Sequence, residues 1–251
     1  MSFSPSLFWA VVPAAGIGSR FVDNVCTDTS KQYRMIGDRT VLEHSVAVLL
    51  QNPCIHKVVI ALHADDNRAY RLPALRHPKI RFIAGGAERA DSVRNALLYL
   101  SQQSACDHDW VLVHDAARPC LHAEDLQALL SALAHDAVGG LLAVPATDTL
   151  KQADVVAPHE SRVRATLDRS LIWHAYTPQM FRFSVLLQAM QQAHRNAISI
   201  TDEASAIETL GLRPRLIQGR RDNIKITYSQ DLALAAFYLA QQRQSLPQES
   251  P

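Results

Sequence analysis

The stretch that decides the fold is Phe8-Trp9-Ala10-Val11-Val12-Pro13-Ala14-Ala15-Gly16-Ile17-Gly18-Ser19-Arg20. Its first five residues are apolar, which is typical of a parallel strand buried on both faces. The small residues that follow let the backbone approach a ligand without obstruction by bulky side chains. Successive N–H groups in such a loop can point toward an anion. The stretch therefore predicts a buried strand followed by an anion-binding loop.

Two cations near this loop add the charge that its backbone lacks. Arg20 ends the loop, and Lys31 follows in Lys31-Gln32-Tyr33. A planar guanidinium and a compact ammonium both suit phosphate groups. A dinucleotide-binding G-x-G-x-x-G loop is disfavoured, because the bulky Phe21 stands where the third glycine is needed for close helix–strand packing. A purely structural turn remains a second alternative.

Composition excludes several classes of protein. The chain has 251 residues, 48% hydrophobic and 20% charged, which predicts one globular domain over residues 1–251. A net charge of +1 argues against a general nucleic-acid or membrane-binding surface. The cysteines have neither metal-type nor disulfide-type spacing, and the sequence shows no signal peptide or membrane-spanning segment, so we expect a cytoplasmic protein with reduced thiols. These cysteines are Cys26, Cys54, Cys106 and Cys120.

Apolar runs alternate with amphipathic segments along most of the chain. This alternation predicts βαβ units and an α/β fold with a doubly wound, mainly parallel, Rossmann-like sheet. The predicted strands are 8–12, 57–62, 80–84, 110–114, 139–144 and 215–218. The predicted helices are 41–50, 90–102, 123–135, 183–195 and 230–241, with another from Thr201 as N-cap to Gly211.

The alternation stops between Pro145 and Pro178, where polar residues and a charged run replace the expected helix. We predict that residues 146–177 form a protruding arm, a β-hairpin that crosses to a second subunit in a homodimer. A segment of this length without its own core is usually functional. A disordered surface loop is the alternative. The polar residues 242–251 predict a flexible tail.

Polar residues follow the ends of two further strands, where ligands bind in open α/β sheets. Gly85, Gly86 and Ser92 follow the third strand and either line a base pocket or only form a tight turn. Asp115 follows the fourth strand and suits a hydrated magnesium ion, a ligand hydroxyl or a helix cap. Arg118 suits a substrate phosphate or a surface ion pair.

Other candidates lie far from these residues along the chain. Lys225 is either a solvated lysine or part of the same site. Arg169 and Thr149 lie on the arm, and they either reach the site of a partner or are ordinary surface residues. The histidines show no paired metal spacing, so we expect no protein metal cage. Spacing alone does not show whether these residues converge.

Six motifs carry a resemblance that covers nearly the whole chain. They are Pro13-Ala14-Ala15-Gly16-x-Gly18-x-Arg20, Lys31-Gln32-Tyr33, Gly86-x-Glu88-Arg89-x-Asp91-Ser92-Val93, Val113-His114-Asp115-Ala116-Ala117-Arg118-Pro119, Thr201-Asp202-Glu203-Ala204 and Asn223-Ile224-Lys225. In this order they resemble the 2-C-methyl-D-erythritol 4-phosphate cytidylyltransferase family. The resemblance implies a fold of the nucleotide-diphospho-sugar transferase type. It also implies transfer of CMP from CTP to methylerythritol phosphate with release of pyrophosphate, in the non-mevalonate route to isoprenoid precursors, with Mg²⁺ or another divalent cation, in a homodimer.

The resemblance also implies a role for each candidate residue. Arg20 and Lys31 stabilise charge at the α-phosphorus, while Lys225 and Arg169 of the partner's arm orient the attacking phosphate. The implied nucleotide-binding residues are Pro13, Ala14, Ala15, Gly16, Gly18, Gly85, Gly86, Ser92 and Asp115, the last through ribose or magnesium. The implied substrate-binding residues are Asp115, Arg118, Thr149, Arg169, Thr201 and Lys225.

Two departures from the family pattern are visible. The loop at 21–30 is longer than expected, and Ala87 stands where an acidic residue is expected after the glycine pair. We therefore expect cytosine selectivity to depend more on backbone groups. The rival functions are a cytidylyltransferase for ribitol 5-phosphate or another sugar phosphate, a non-catalytic nucleotide-binding protein, and an NAD-binding oxidoreductase.

Overall fold

The computed structural model describes residues 6–16, 30–103, 105–157 and 160–245. Its strands are β1 (Phe8–Ala14), β2 (Met35–Ile36), β3 (Arg39–Thr40), β4 (Ile55–Leu62), β5 (Ile80–Ala84), β6 (Trp110–Val113), β7 (Gly139–Pro145), β8 (Lys151–Ala157), β9 (Glu160–Thr166), β10 (Trp173–Arg182) and β11 (Arg215–Gln218). Its α-helices are α1 (Val41–Gln51), α2 (Arg89–Gln102), α3 (Ala123–Leu133), α4 (Phe183–Arg195), α5 (Glu203–Glu208) and α6 (Asp231–Ser245).

A seven-stranded sheet forms the centre of the molecule, with strand order β11-β7-β10-β6-β1-β4-β5. Its neighbouring strands are parallel except at β10, which is antiparallel to both β6 and β7. Helices α1 and α3 cover one face, and α2, α4 and α5 cover the other. Val11, Val59 and Val111 are fully buried between these layers, as expected for central strands covered on both faces. The predicted mainly parallel α/β fold is confirmed.

Several predicted helix boundaries are wrong. Helix α5 ends at Glu208 rather than at Gly211, and α3 ends at Leu133 rather than at residue 135. The N-cap of α5 is Asp202 rather than Thr201, because the Asp202 carboxylate accepts a hydrogen bond from the backbone N–H of Ser205. Helix α6 continues to Ser245, so residues 242–245 are helical and do not belong to the predicted tail. Residues 246–251 lie outside the described residues. No helix in the described part of the chain is long and apolar enough to span a membrane.

The predicted arm contains a hairpin, in which β8 and β9 form a separate antiparallel two-stranded sheet. Its predicted end at residue 177 is wrong, because β10 already joins the central sheet at Trp173. Trp173 pairs with Pro145 of β7, and His174 pairs with Val144. The residues of β10 from Thr177 to Phe181 are buried, which the polar sequence of this segment did not indicate.

Candidate active site

A cavity of about 320 Å³ opens at the carboxyl ends of β1 and β6. Strand β1 has β4 on one side and β6 on the other, so the strand order reverses here, where open α/β sheets bind their ligands. The predicted residues that line this cavity are Pro13, Ala14, Ala15, Gly16, Lys31, Ser92, Asp115 and Lys225. Ala87 also lines it, together with Gln32, Arg89, Ala116 and Ala117.

The loop after β5 packs closely against the loop after β1. A Cβ atom on Gly85 would lie 2.5 Å from the Ala15 Cβ and 2.8 Å from the Ser92 Oγ, so the approach requires glycine. The Ser92 hydroxyl accepts a hydrogen bond of 3.0 Å from the Gly86 N–H. The Gly86 N–H therefore helps to hold Ser92 beside the cavity, and the contact of the glycine pair with a base remains a prediction.

Asp115 is a buried carboxylate surrounded by cations. Its Oδ1 lies 2.8 Å from the Arg89 Nε, and its Oδ2 lies 2.7 Å from the Lys225 Nζ. Burial alone raises the pKa of Asp115, but Arg89, Lys225 and Arg118 outweigh that effect and hold the pKa far below its usual range. Asp115 is therefore ionised at neutral pH. The helix-cap alternative is wrong, because the next helix starts at Ala123.

Lys31 and Lys225 reach the same cavity from distant parts of the chain. Lys225 pairs with Asp115 and is not a solvated lysine. The Lys31 Nζ donates a 3.0 Å hydrogen bond to the carbonyl of Ile226, the residue that follows Lys225. The short turn Lys31–Tyr33 is itself anchored, since the Gln32 Nε2 donates to the carbonyl of Ala14 at 3.0 Å. The structure thus shows that Lys31 and Lys225 converge on one cavity, which their spacing in the sequence could not show.

Other predicted residues lie away from the cavity lining or outside the described residues. Arg118 is buried, donates from Nη1 to the Asn223 carbonyl at 2.8 Å and lies 4.4 Å from the Tyr176 ring centroid, so it is not a surface ion pair. Thr149 and Thr201 are exposed. Gly18 and Arg20 lie outside the described residues. The substrate contacts assigned to these residues remain predictions.

Arg169 is exposed on the arm segment that precedes β10. Its Nη1 donates to the Thr147 carbonyl at 2.5 Å, within the same segment. Among the residues that the structure describes in one chain, Arg169 is therefore not part of the cavity lining. Its predicted role depends on the arm of a second chain.

Sequence reasoning gave no role to Arg89 and Glu203, although both belong to the quoted motifs. Arg89 lines the cavity and forms a two-pronged ion pair with Glu203, with nitrogen–oxygen distances of 2.7 and 3.0 Å. The two residues are 114 positions apart, so no local pattern joins them. The only indication in the sequence was that Arg89 and Glu203 are charged residues inside two of the quoted motifs.

Comparisons with known proteins agree with this site. The family model for 2-C-methyl-D-erythritol 4-phosphate cytidylyltransferase matches residues 8–241. The protein of that name from Pseudomonas putida (strain W619) is 54% identical over 225 residues, covering 90% of this chain and 92% of its own length.

Solved structures show the same likeness. A crystal structure of 4-diphosphocytidyl-2C-methyl-D-erythritol synthase has a TM-score of 0.78 and 38% identity, covering 93% of this chain and 99% of its own. The Francisella tularensis 2-C-methyl-D-erythritol 4-phosphate cytidylyltransferase has a TM-score of 0.77 and 33% identity, covering 93% and 100%. The chain therefore belongs to the 2-C-methyl-D-erythritol 4-phosphate cytidylyltransferase family of nucleotidyltransferases, which use CTP in isoprenoid precursor biosynthesis.

Proposed function

We propose that the cavity is the site where CMP passes from CTP to 2-C-methyl-D-erythritol 4-phosphate with release of pyrophosphate. The observation that carries this proposal is the convergence of Lys31 and Lys225 beside the small-residue loop after β1. Backbone N–H groups of that loop suit a polyphosphate, and the fixed ammonium groups suit its negative charge. The NAD-binding oxidoreductase alternative is wrong, because the chain belongs to a nucleotidyltransferase family.

The residues of the cavity would act by alignment and charge compensation. A phosphate monoester is largely ionised near neutral pH, so no general base is needed to create the nucleophile. The site must instead hold two anions in line and stabilise charge on the pentacoordinate phosphorus. Lys31 and Arg20 would serve the α-phosphorus, while Lys225 and Arg169 of the partner subunit would orient the attacking phosphate. The ion pair with Asp115 fixes Lys225 before substrate arrives, so little reorganisation is needed.

Magnesium fits this site as an ion held mainly by the substrate. The described residues contain no cluster of three or more His, Cys, Asp or Glu side chains suited to a metal. Asp115 is the acidic residue among the described residues that line the cavity, and its two oxygens already contact Arg89 and Lys225. Mg²⁺ commonly binds one or two carboxylates together with substrate phosphates and water. When bound, it would neutralise triphosphate charge.

The arm supports the homodimer in this proposal. Val155 and Val163 on the hairpin are 80% and 64% exposed, and Leu171 beside it is 79% exposed. A two-stranded hairpin has little stability alone, so a protein contact over these exposed apolar side chains would stabilise it. A second copy of the chain would cover them and place Arg169 at the neighbouring cavity. We also assign the enzyme to the cytoplasm, since free thiols at Cys54 and Cys120 suit a reducing compartment.

The test is a panel of acceptors with CTP, in which pyrophosphate release is measured. We expect turnover with 2-C-methyl-D-erythritol 4-phosphate, little with ribitol 5-phosphate, and loss of activity when magnesium is chelated. Preference for ribitol 5-phosphate would instead support the rival function, a cytidylyltransferase for ribitol 5-phosphate. CTP binding without pyrophosphate release for any acceptor would favour the non-catalytic alternative.

A further inference from the structure

We infer that Glu203 is a positioning residue for Lys225, acting through Arg89 and Asp115. The inference rests on the proposed function, because it concerns the ammonium group assigned to the attacking phosphate. It adds a residue from outside the cavity lining to the set that determines the rate.

Four side chains of alternating charge form one continuous series of ion pairs. Glu203, 1% exposed, binds the Arg89 Nη1 and Nη2 at 2.7 and 3.0 Å. The remaining edge of the same guanidinium donates from Nε to the Asp115 Oδ1 at 2.8 Å. The Asp115 Oδ2 then lies 2.7 Å from the Lys225 Nζ. Arg89 and Asp115 are therefore each held between two charges of opposite sign, with Glu203 at the buried end and Lys225 at the cavity end.

The geometry of Arg89 makes Glu203 necessary for this arrangement. A guanidinium is rigid and planar, so fixing its Nη1 and Nη2 also fixes the direction of its Nε–H. That direction sets Asp115, and Asp115 sets Lys225. Without the negative charge of Glu203, Asp115 would be the remaining carboxylate paired with Arg89, and Arg89 and Lys225 would compete for it. Lys225 would then lose its fixed position.

Glu203 is itself held firmly, so it can act as the anchor. It is the first residue of α5, which is capped by Asp202 through Ser205. Gln179 of β10 ties this helix start to the sheet, accepting from the Ala204 N–H at 2.8 Å and donating to the Asp202 Oδ2 at 2.8 Å.

The other end of the series is fixed to the same strand. The hydroxyl of Thr177, two residues before Gln179 on β10, accepts the backbone N–H of Asp115 at 3.0 Å. Strand β10 therefore sets the distance between Glu203 and Asp115. Arg89 fills that distance, so the direction of its guanidinium decides how the Asp115 carboxylate is turned.

The experiment is a double-mutant cycle in the full-length enzyme with Glu203→Gln, Lys225→Gln and both together. Glu208→Gln is the matched control, since Glu208 is exposed on the same helix. We expect Glu203→Gln to lower kcat about tenfold with little change in the KM for CTP, because a small displacement of a catalytic group lowers the rate of the chemical step. In the Lys225→Gln background, the same substitution should change kcat less than about twofold.

A merely structural role for Glu203 would lower activity by the same factor in both backgrounds, and that result would overturn the inference. So would a Glu203→Gln enzyme as active as the Glu208→Gln control. Where Glu203→Gln yields too little folded protein by thermal melting, Glu203→Asp replaces it in the cycle, since it keeps the charge and draws the carboxylate back from the two Arg89 nitrogens. Full activity of Lys225→Gln alone would instead refute the proposed role of Lys225, and this inference with it.

Discussion

The cluster around Asp115 and the hairpin arm place their charged residues in opposite environments. Asp115 is buried, and its carboxylate contacts Arg89 and Lys225 at 2.8 and 2.7 Å. Arg169 next to the arm is exposed and donates only to a nearby backbone carbonyl among the contacts described. One half of the proposed site is thus assembled within a single chain. The other half depends on what the arm contacts.

This difference follows from the cost of burying charge. A buried carboxylate is retained only with closely placed cations, so the cluster has a fixed geometry before any ligand arrives. An exposed arginine is solvated and adapts to its partner at little cost. The buried cluster is suited to positioning, and the exposed arm is suited to completing a neighbour's site. Changes in the two regions should therefore have different signatures.

The largest expected effect is on the inner half of the site. Lys31→Ala or Lys225→Ala should each lower kcat on the order of 10²-fold or more, because each removes a preorganised cation from the reacting phosphates. Circular dichroism should show an unchanged fold. Lys57→Ala is a suitable control, since Lys57 on β4 donates to the exposed carbonyl of Pro78 and does not line the cavity. Near-normal turnover in both cavity variants would refute the assignment.

A second effect is a pH dependence of the free energy of unfolding that arises in the buried region. Burial lowers the pKa of His114, next to Asp115, from 6.5 to about 4. The folded protein keeps this imidazole neutral, while the unfolded chain takes up a proton below about pH 6.5. The free energy of unfolding should therefore fall on the order of 3 kcal/mol as pH drops from about 6.5 to about 4.

Denaturant titrations at several pH values would measure this fall. In His114→Gln the same window should be flatter, because position 114 no longer takes up a proton on unfolding. Asp115 contributes in a separate window: its lowered pKa adds stability that is lost only below the ordinary pKa of an aspartate, as pH falls toward the folded-state value. Equal slopes between pH 6.5 and 4 in the wild type and His114→Gln would contradict the assignment to His114.

A smaller effect concerns the close packing beneath the cavity. Gly85→Ala would press a methyl group against Ala15 and Ser92, so we expect a loss of about 1–3 kcal/mol in the free energy of unfolding. Ser161→Ala on the exposed strand β9 should stay within about 0.5 kcal/mol of the wild type. Urea denaturation of both variants makes the comparison. A Gly85→Ala protein as stable as Ser161→Ala would contradict this prediction. It would show that the loops after β1 and β5 can move apart to make room for the methyl group.

Local sequence pattern predicted the parts of the fold that depend on burial. The strands at 80–84 and 215–218 and the helix at 183–195 are confirmed within their predicted bounds. Strand β10 was missed, because its segment His174 to Pro178 lacks the apolar run that marks a central strand. Its burial comes from pairing with β6 and β7, which is a tertiary property.

The residues of the candidate site likewise fall into two groups. Some were predicted from local pattern, and others depend on contacts between distant parts of the chain. The small-residue loop and Asp115 were predicted, since each follows a strand end in the sequence. The pairing of Arg89 with Glu203 was not, because contacts across 114 positions leave no local signal. The helix start at Asp202 in place of Thr201 reflects competition between two adjacent capping side chains, which only the hydrogen bond to Ser205 decides.

The measurement that tests the two-part site most directly mixes two inactive variants, Lys31→Ala and Arg169→Ala, after unfolding and refolding them together. In a mixed dimer, one cavity would combine an intact Lys31 with an intact Arg169 from the neighbouring subunit. With random pairing we expect about a quarter of the wild-type activity to return. No recovery above the two separate variants would contradict a site completed by the arm of a second subunit.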